Sequence, residues 1–191
     1  ELHTVDDARV MRDAALAEGG RAVVLGAGFI GVEAAEALVH RGMQVTLVNR
    51  GPHVLGPLEP EMAWWVEREF ERLGVTLRNG TIATAITHGA DYDTVALSDR
   101  SSLDVELIVQ AIGGRPNVAV AQAAGVTVED GCIVVDAHGK TNLPDVWAVG
   151  DAVLKQDSLD VRRAVPLAGP ANREGRLVAD AIFRPELART A

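Results

Sequence analysis

The stretch RAVVLGAGFIG, residues 21–31, decides the fold predicted for this chain. An apolar run, Ala22–Leu25, leads into three glycines spaced as G-x-G-x-x-G, and apolar residues then recur at helical spacing from Val32. Gly42 follows as a helix cap, and residues 45–48 as a second apolar strand. The order strand, glycine turn, helix, strand is the context in which this spacing predicts a dinucleotide-binding turn.

Each glycine of this turn has a separate physical reason. Gly26 permits the tight bend, Gly28 lets the backbone approach a pyrophosphate, and Gly31 lets the helix pack closely on the strand. The N–H groups and the positive dipole end of the helix then face the anion. A glycine turn in another kind of parallel α/β protein is the alternative that the spacing leaves open.

Composition narrows the class of protein. The 191 residues include 18 basic and 27 acidic side chains, and the net charge of −9 disfavours nucleic acid and anionic membranes as partners. A hydrophobic content of 48% supports a sizeable core in one or two domains. We find no apolar run long enough to cross a membrane and no signal-peptide pattern at the start of the chain.

Cysteine and histidine usage predicts neither disulfides nor metal. The single cysteine, Cys132, excludes an internal disulfide framework and fits a cytoplasmic setting. It lies in an alternating apolar strand without a second cysteine nearby, which favours a buried strand residue over a redox thiol. The five histidines are scattered, so we predict no structural metal.

The end of the second predicted strand bears on nucleotide choice. A dinucleotide fingerprint normally places an acidic residue here to hold the ribose 2′-hydroxyl of NAD. In this chain Asn49 takes that position and Arg50 follows, and an arginine can pair with the 2′-phosphate of NADP. The sequence favours NADPH, or use of both nucleotides, and leaves open NADH held through Asn49 with Arg50 solvated.

Further elements are predicted on both sides of this region. A short amphipathic helix begins at a Thr4–Asp7 capping box and includes Leu16. We predict a helix over 59–73, a strand over 75–77, and an antiparallel meander over 81–86, 94–97 and 103–111. A domain crossing at 113–117 is followed by a short helix over 117–124 and by strands over 126–128 and 132–135.

A second informative stretch is TNLPDVWAVGD, residues 141–151. We predict a buried strand over 146–149, a close backbone approach at Gly150, and a carboxylate at Asp151 that can accept hydrogen bonds from a polyol. Capping of the following segment is the alternative role of Asp151. Residues 157–163 read as a loop, and residues 171–182 as a helix whose N-terminus is available to a carbonyl or an anion.

Four ordered motifs carry a family resemblance. They are GAGFIGVEAAEAL at 26–38, AIGGRPN at 111–117, TNLPDVWAVGDA at 141–152 and PLAGPANREGR at 166–176. Together they closely resemble the pyridine nucleotide-disulfide oxidoreductases, the flavoproteins that include glutathione reductase. The last motif is most similar to the branch of coenzyme A-disulfide reductases and NADH oxidases. The resemblance covers nearly the whole chain.

The resemblance implies an architecture in which an NAD(P)H domain interrupts an FAD domain. The fold class is then α/β: a Rossmann-like parallel sheet with an antiparallel meander, followed by part of a second α/β domain, the FAD-binding domain. Residues 1–18 would be a linker helix from the FAD domain, 19–116 the NAD(P)H-binding domain, and 117–191 the second part of the FAD domain. The redox cysteine and the dimerisation domain would lie off this chain, which we expect to be an inactive fragment of a homodimeric enzyme.

The resemblance also implies site residues, none of them catalytic and none a metal ligand. Phe29 would cover the nicotinamide pocket, Glu33 would lie near the junction of flavin and nicotinamide, and Asp151 would hold the FAD ribityl chain. The implied NAD(P)H-binding residues are Gly26, Ala27, Gly28, Phe29, Ile30, Gly31, Glu33 and Gly113, and the implied FAD-binding residues are Gly150, Asp151, Leu167, Ala168 and Asn172. Asn49 and Arg50, where the chain departs from the family pattern, are added to the NAD(P)H-binding residues from the strand-end argument above.

The implied reaction passes a hydride from NAD(P)H to FAD and then electrons to a small disulfide, such as coenzyme A disulfide. Within the enzymes, an NADH oxidase that reduces oxygen and a ferredoxin or rubredoxin reductase remain alternatives. A nucleotide-binding module without turnover is the alternative from outside the enzymes. No nucleic acid or membrane partner is expected.

Overall fold

The structure is a computed structural model that describes residue 2 and residues 4–15, 19–156 and 161–187. The chain divides into two compact units, unit 1 (residues 1–113) and unit 2 (residues 114–191). Leu16 of the predicted first helix and residues 157–160 of the predicted loop lie outside the described residues.

Unit 1 contains three helices and seven strands in its described residues. In chain order they are α1 (Val5–Ala14), β1 (Arg21–Leu25), α2 (Phe29–Val39), β2 (Gln44–Val48), α3 (Pro60–Arg72), β3 (Thr76–Arg78), β4 (Ala83–Thr87), β5 (Asp93–Leu97), β6 (Ser102–Val105) and β7 (Leu107–Gln110). The capping box of α1 is confirmed, because the Thr4 hydroxyl accepts from the Asp7 N–H and the Asp7 carboxylate accepts from the Thr4 N–H.

A parallel sheet in the order β3-β2-β1-β7 forms the centre of unit 1. Leu25 pairs with Val48 on one side and with Gln110 on the other, so all three strands end at the same edge. The parallel sheet predicted from the glycine turn is therefore confirmed. Residues that follow these strand ends are brought together there, as is usual for ligand-binding edges of α/β sheets.

The two faces of this sheet are covered by different elements. Val23 and Leu25 pack with Val95 of β5 and Val105 of β6 on the face covered by the meander β4-β5-β6. Val24, the residue between them, packs with the core formed by α2 and α3 because successive strand side chains point to opposite faces. Within the stretch predicted over 103–111, Glu106 separates β6 of the meander from β7, which belongs to the parallel sheet.

Unit 2 is smaller. Its elements are α4 (Ala119–Ala123), β8 (Val128–Glu129), β9 (Cys132–Val134), β10 (Val153–Gln156), β11 (Arg162–Arg163), α5 (Ala168–Phe183) and a 3₁₀ turn (Pro185–Leu187), with a sheet in the order β11-β10-β9-β8. Cys132 is buried in β9, as predicted.

Three predictions for unit 2 are wrong. Arg162 and Arg163, placed in the predicted loop, form β11 and pair with β10. Residues 146–149 do not form a buried strand: Val146 and Val149 are exposed, and among the described residues the segment has only one isolated bridge, from Trp147 to Lys140. The apolar run lacks a continuous partner strand, and the strand next to β9 is β10 instead. Helix α5 begins at Ala168 rather than at residue 171, since Pro170 falls in the first turn, where no N–H is needed.

No helix in the described part of the chain is long and apolar enough to cross a membrane.

Candidate cofactor sites

The glycine turn after β1 combines two crowded positions with an open one. A Cβ on Gly26 would overlap the carbonyl oxygen of Ala111, and one on Gly31 would overlap the carbonyl oxygen of Gly26. A Cβ on Gly28 would have no atom of the chain within 4 Å. Gly26 and Gly31 therefore serve the packing of β1, α2 and the end of β7, whereas Gly28 borders free space at the strand ends.

Helix α2 points its N-terminus at this space. Gly28 is its N-cap, and no side chain bonds to the N–H groups of the first turn. These groups and the helix dipole therefore offer an anion-binding end. Phe29 and Ile30 are 58% and 52% exposed although both are large apolar residues. Glu33 is exposed one turn further along α2, and Ala27 is buried in the turn.

The segment from Asn49 to Leu55, called here the β2 loop, follows the neighbouring strand. The Asn49 side-chain nitrogen donates to the carbonyl oxygens of His53 at 2.7 Å and of Gly51 at 3.2 Å. The Leu55 N–H donates to the carbonyl oxygen of Ala27 at 2.7 Å, and Leu55 holds a positive φ of 49° to do so. This loop is thus bonded directly to the glycine turn.

Arg50 and Gly113 are open to solvent at the same edge. In the described part of the chain, the Arg50 side chain is exposed and has no ion-pair or hydrogen-bond partner. Gly113 follows β7 with φ of +99°, and a Cβ there would have no atom within 4 Å. The structure therefore places the glycine turn, the β2 loop and Gly113 after three adjacent strands.

In unit 2, the residues predicted to bind FAD lie at the turn of Gly150 and at the N-terminus of α5. Gly150 has φ of +86° and is followed by Asp151, whose exposed carboxylate has no partner among the described residues. Leu167 is the 52% exposed N-cap of α5, without a side-chain cap bond. The Asn172 side chain donates to the Ala168 carbonyl oxygen at 3.1 Å. Asp151 and this helix end thus offer an acceptor and free N–H groups.

A buried carboxylate joins these two parts of unit 2. Glu174 of α5 is 5% exposed and accepts a hydrogen bond from the Gly150 N–H at 2.9 Å. Its other oxygen pairs with the Lys155 ammonium of β10. Neither residue is predictable from the sequence, since Glu174 lies 24 positions from Gly150 and no local pattern links them.

In unit 1, one ion pair with shifted pKa values lies at the end of the sheet opposite the glycine turn. At the opposite, amino end of β1, Glu106 accepts from the Arg21 guanidinium and from the Arg21 backbone N–H, and these hydrogen bonds lower the pKa of Glu106. The same hydrogen bond raises the pKa of Arg21. The pair fastens the start of β1 to the start of β7.

No cluster of metal-ligating side chains is present among the described residues.

The parallel sheet and the glycine turn, followed by a second α/β unit, are the architecture of a dinucleotide-binding α/β protein. The family model of the pyridine nucleotide-disulphide oxidoreductases matches residues 1–182. The chain belongs to this family of FAD-dependent pyridine nucleotide oxidoreductases, whose cofactors are FAD and NADH or NADPH.

Similar proteins come from several branches of the family. Rubredoxin-NAD(+) reductase from Acinetobacter baylyi is 33% identical over 187 residues, which are 94% of this chain and 46% of that protein. The structure of CoADR-RHD, a coenzyme A-disulfide reductase from Bacillus anthracis, is 31% identical with a TM-score of 0.89, covering 99% of this chain and 34% of that one.

A third similar structure is an engineered water-forming NADPH oxidase bound to NADPH, derived from the Lactobacillus brevis oxidase. It is 27% identical with a TM-score of 0.87, covering 95% of this chain and 40% of that one. The chain spans less than half the length of the curated relatives it matches.

Proposed function

We propose that this chain binds NADPH in unit 1 and supplies part of an FAD site in unit 2, in an enzyme that transfers a hydride from NADPH to FAD. The observation that carries the proposal is the glycine turn, crowded at Gly26 and Gly31 and open at Gly28. Only the open position faces free space, and the uncapped end of α2 faces it too. A pyrophosphate fits such a site in size and charge.

Different residues of unit 1 are assigned to different parts of the nucleotide. N–H groups of Gly28 and the first turn of α2 bind the pyrophosphate, with Ala27 and Ile30 shaping the turn. Phe29 is exposed where the nicotinamide would approach, and we assign it to covering that pocket until the nucleotide arrives. To Glu33, exposed on the same helix, we assign a role at the junction of nicotinamide and flavin, and to Gly113 a close approach of the backbone to the bound nucleotide.

We assign NADPH preference to Arg50. Its exposed guanidinium has no partner in the described part of the chain and is thus available to a 2′-phosphate, with which arginine forms paired hydrogen bonds. The engineered oxidase supports this assignment. It is bound to NADPH and carries an aspartate replaced by alanine, followed directly by an alanine replaced by arginine. Asn49-Arg50 likewise presents a residue that is not acidic, followed by arginine.

In unit 2 we assign the FAD-binding roles to five residues. The free carboxylate of Asp151 accepts hydrogen bonds from the ribityl hydroxyls, and Gly150 permits the close approach. We assign to the flavin ring three residues at the start of α5: Leu167, Ala168 and Asn172. When bound, NADPH supplies the hydride and FAD accepts it. Residues 19–116 then form the NAD(P)H-binding domain, 117–191 part of the FAD domain, and 1–18 a linker helix.

We propose a small disulfide, such as coenzyme A disulfide, as the final acceptor, in a cytoplasmic homodimer. The similarity to CoADR-RHD supports this acceptor, and the single cysteine of the chain supports the compartment. A second candidate is the reduction of a small electron-carrier protein, favoured by the rubredoxin reductase that matches 94% of this chain. Oxygen is the third acceptor, by likeness to the oxidase.

The nucleotide assignment is tested by titrating the chain with NADPH and NADH by calorimetry. We expect NADPH to bind at least about tenfold tighter, which corresponds to ~1.4 kcal/mol, and Arg50→Ala to remove the preference. Arg41→Ala is the matched control, because Arg41 is also an exposed arginine and lies beyond the far end of α2. Equal affinities in the unchanged chain would contradict the assignment.

The acceptor is tested on the whole protein with NADPH and three acceptors in parallel. Thiol release from coenzyme A disulfide supports the first proposal. Reduction of rubredoxin without thiol release would instead support the second candidate, and rapid oxygen consumption alone would support an oxidase. NADPH binding without flavin reduction would identify a binding module without turnover.

A further inference from the structure

One carboxyl oxygen of α3 holds the β2 loop in place. Glu67 Oε1 accepts hydrogen bonds from the Val54 N–H at 3.1 Å and from the Asn79 side-chain nitrogen at 2.8 Å. Asn79 in turn accepts from the side chain of Asn49 at 3.3 Å. All of these groups are half-buried or buried. Glu67 therefore ties the far end of the loop to the same network that begins at Asn49.

Asn49 serves this network as a donor. Its two loop partners, the carbonyl oxygens of Gly51 and His53, can only accept hydrogen bonds. The amide nitrogen, and not the amide oxygen, must therefore face them. An aspartate at this position has no donor and would set a carboxylate against two carbonyl oxygens. The absence of the usual acidic residue thus has a structural cause within the loop.

Arg50 lies between two anchored neighbours. The Asn49 N–H donates to the Arg78 carbonyl oxygen at 2.9 Å, and the Gly80 N–H donates to the Gly51 carbonyl oxygen at 2.9 Å. The backbone on both sides of Arg50 is therefore fixed, while its side chain is exposed. Glu67 and Asn79 form hydrogen bonds with Val54 and Asn49 of this loop, and among the described residues neither forms one with Arg50.

We propose that Glu67 and Asn79 are positioning residues that set the preference for a 2′-phosphorylated nucleotide by holding the β2 loop, and with it Arg50, in the binding conformation. The inference rests on the proposed NADPH site. A loop that is ordered beforehand does not lose conformational entropy when the 2′-phosphate binds, so its ordering strengthens that contact. NADH lacks the phosphate and gains less from the same ordering.

The test compares the affinities of the chain for NADPH and NADH in two Glu67 variants. We expect Glu67→Ala to weaken NADPH binding by about fivefold or more, as the loss of two hydrogen bonds permits, and NADH binding by less than about twofold. Glu67→Gln keeps an acceptor oxygen at the same place and should retain the preference. Glu61→Ala, an exposed glutamate of α3 without an ion-pair partner in the described residues, is the matched control.

A second variant tests the donor role of Asn49. We expect Asn49→Asp to weaken binding of both nucleotides, with no gain for NADH, because the carboxylate cannot replace the donor. Circular dichroism and thermal melting confirm that each variant is folded at the titration temperature. Tighter NADH binding by Asn49→Asp would overturn the inference, as would an unchanged affinity ratio in Glu67→Ala. An unchanged chain that does not prefer NADPH would overturn the proposed function as well.

Discussion

At the scale of single residues, the glycine turn shows that a fingerprint can combine different constraints. Gly26 and Gly31 have no room for a side chain because backbone oxygens occupy the space that a Cβ would need. Gly28 has room, and its backbone, with φ of −76°, is one that any residue can adopt. Folding therefore requires the first and third glycines, whereas the proposed ligand requires the second.

This difference predicts opposite phenotypes for two alanine variants. Gly28→Ala should cost about 1 kcal/mol of stability at most, the preference of an N-cap for glycine over alanine. It should weaken NADPH binding at least about tenfold, because the added methyl group stands where the pyrophosphate would lie. Gly31→Ala should destabilise unit 1 by about 1–3 kcal/mol or more, since the methyl group meets the backbone. Thermal unfolding and calorimetric titration of both variants provide the measurement. A Gly28→Ala chain that loses stability without losing affinity would contradict the interpretation.

The sequence could identify Arg50 but not the residues that hold it. Arg50 directly follows the predicted strand, so a local pattern was sufficient. Glu67 and Asn79 lie 13 and 30 positions from their loop partners, Val54 and Asn49. Their hydrogen bonds exist only after α3 and β3 have packed against the loop, and no spacing rule encodes such a contact.

At the scale of elements, the pair Arg21–Glu106 joins β1 to the start of β7 and makes stability depend on pH. The hydrogen bonds from Arg21 lower the folded-state pKa of Glu106. The pair therefore stabilises the fold above the unfolded pKa of a glutamate, about 4.3, and this contribution is lost as the pH falls through the lower folded value. We expect Glu106→Gln to lower the melting temperature at pH 7 and to match the unchanged chain in strong acid.

Melting curves of both proteins from about pH 7 to about pH 3 check this prediction. Glu71→Gln is the control, because Glu71 pairs with Arg68 on the exposed surface of α3, where such pairs contribute little. A gap in melting temperature that widens in acid would reverse the sign and refute the assignment. High salt should narrow the gap at neutral pH, since both side chains are partly exposed.

Elements were predictable where their signals are local. The capping box of α1 and the strands beside the glycine turn agree with their patterns. The start of α5 was misplaced because Pro170 resembles a break, although proline is compatible with a first helical turn. The segment 146–149 has the composition of a strand, but a strand also requires a neighbour to bond with, and composition does not contain that information.

At the scale of the whole molecule, the proposed NADPH site belongs to unit 1 alone. The glycine turn, the β2 loop and Gly113 all lie within residues 1–113. Hydrogen–deuterium exchange should therefore show NADPH protecting residues 26–31 and 49–55, with no change over 119–156. Mass spectrometry of the chain with NADPH, with NADH and without nucleotide makes the comparison. Protection confined to unit 2 would place the nucleotide elsewhere.

The order β3-β2-β1-β7 has a consequence for the nascent chain. β1 is synthesised early, yet one of its two edges remains unpaired until β7 emerges from the ribosome. Roughly 80 residues separate the two strands, so at about 5–20 residues per second that edge stays open for roughly 4 to 16 seconds. If translation stalls within the meander, the apolar edge of β1 stays exposed and can bind chaperones or aggregate. Translation speed between Gly26 and Glu106 thus bears on the yield of folded protein.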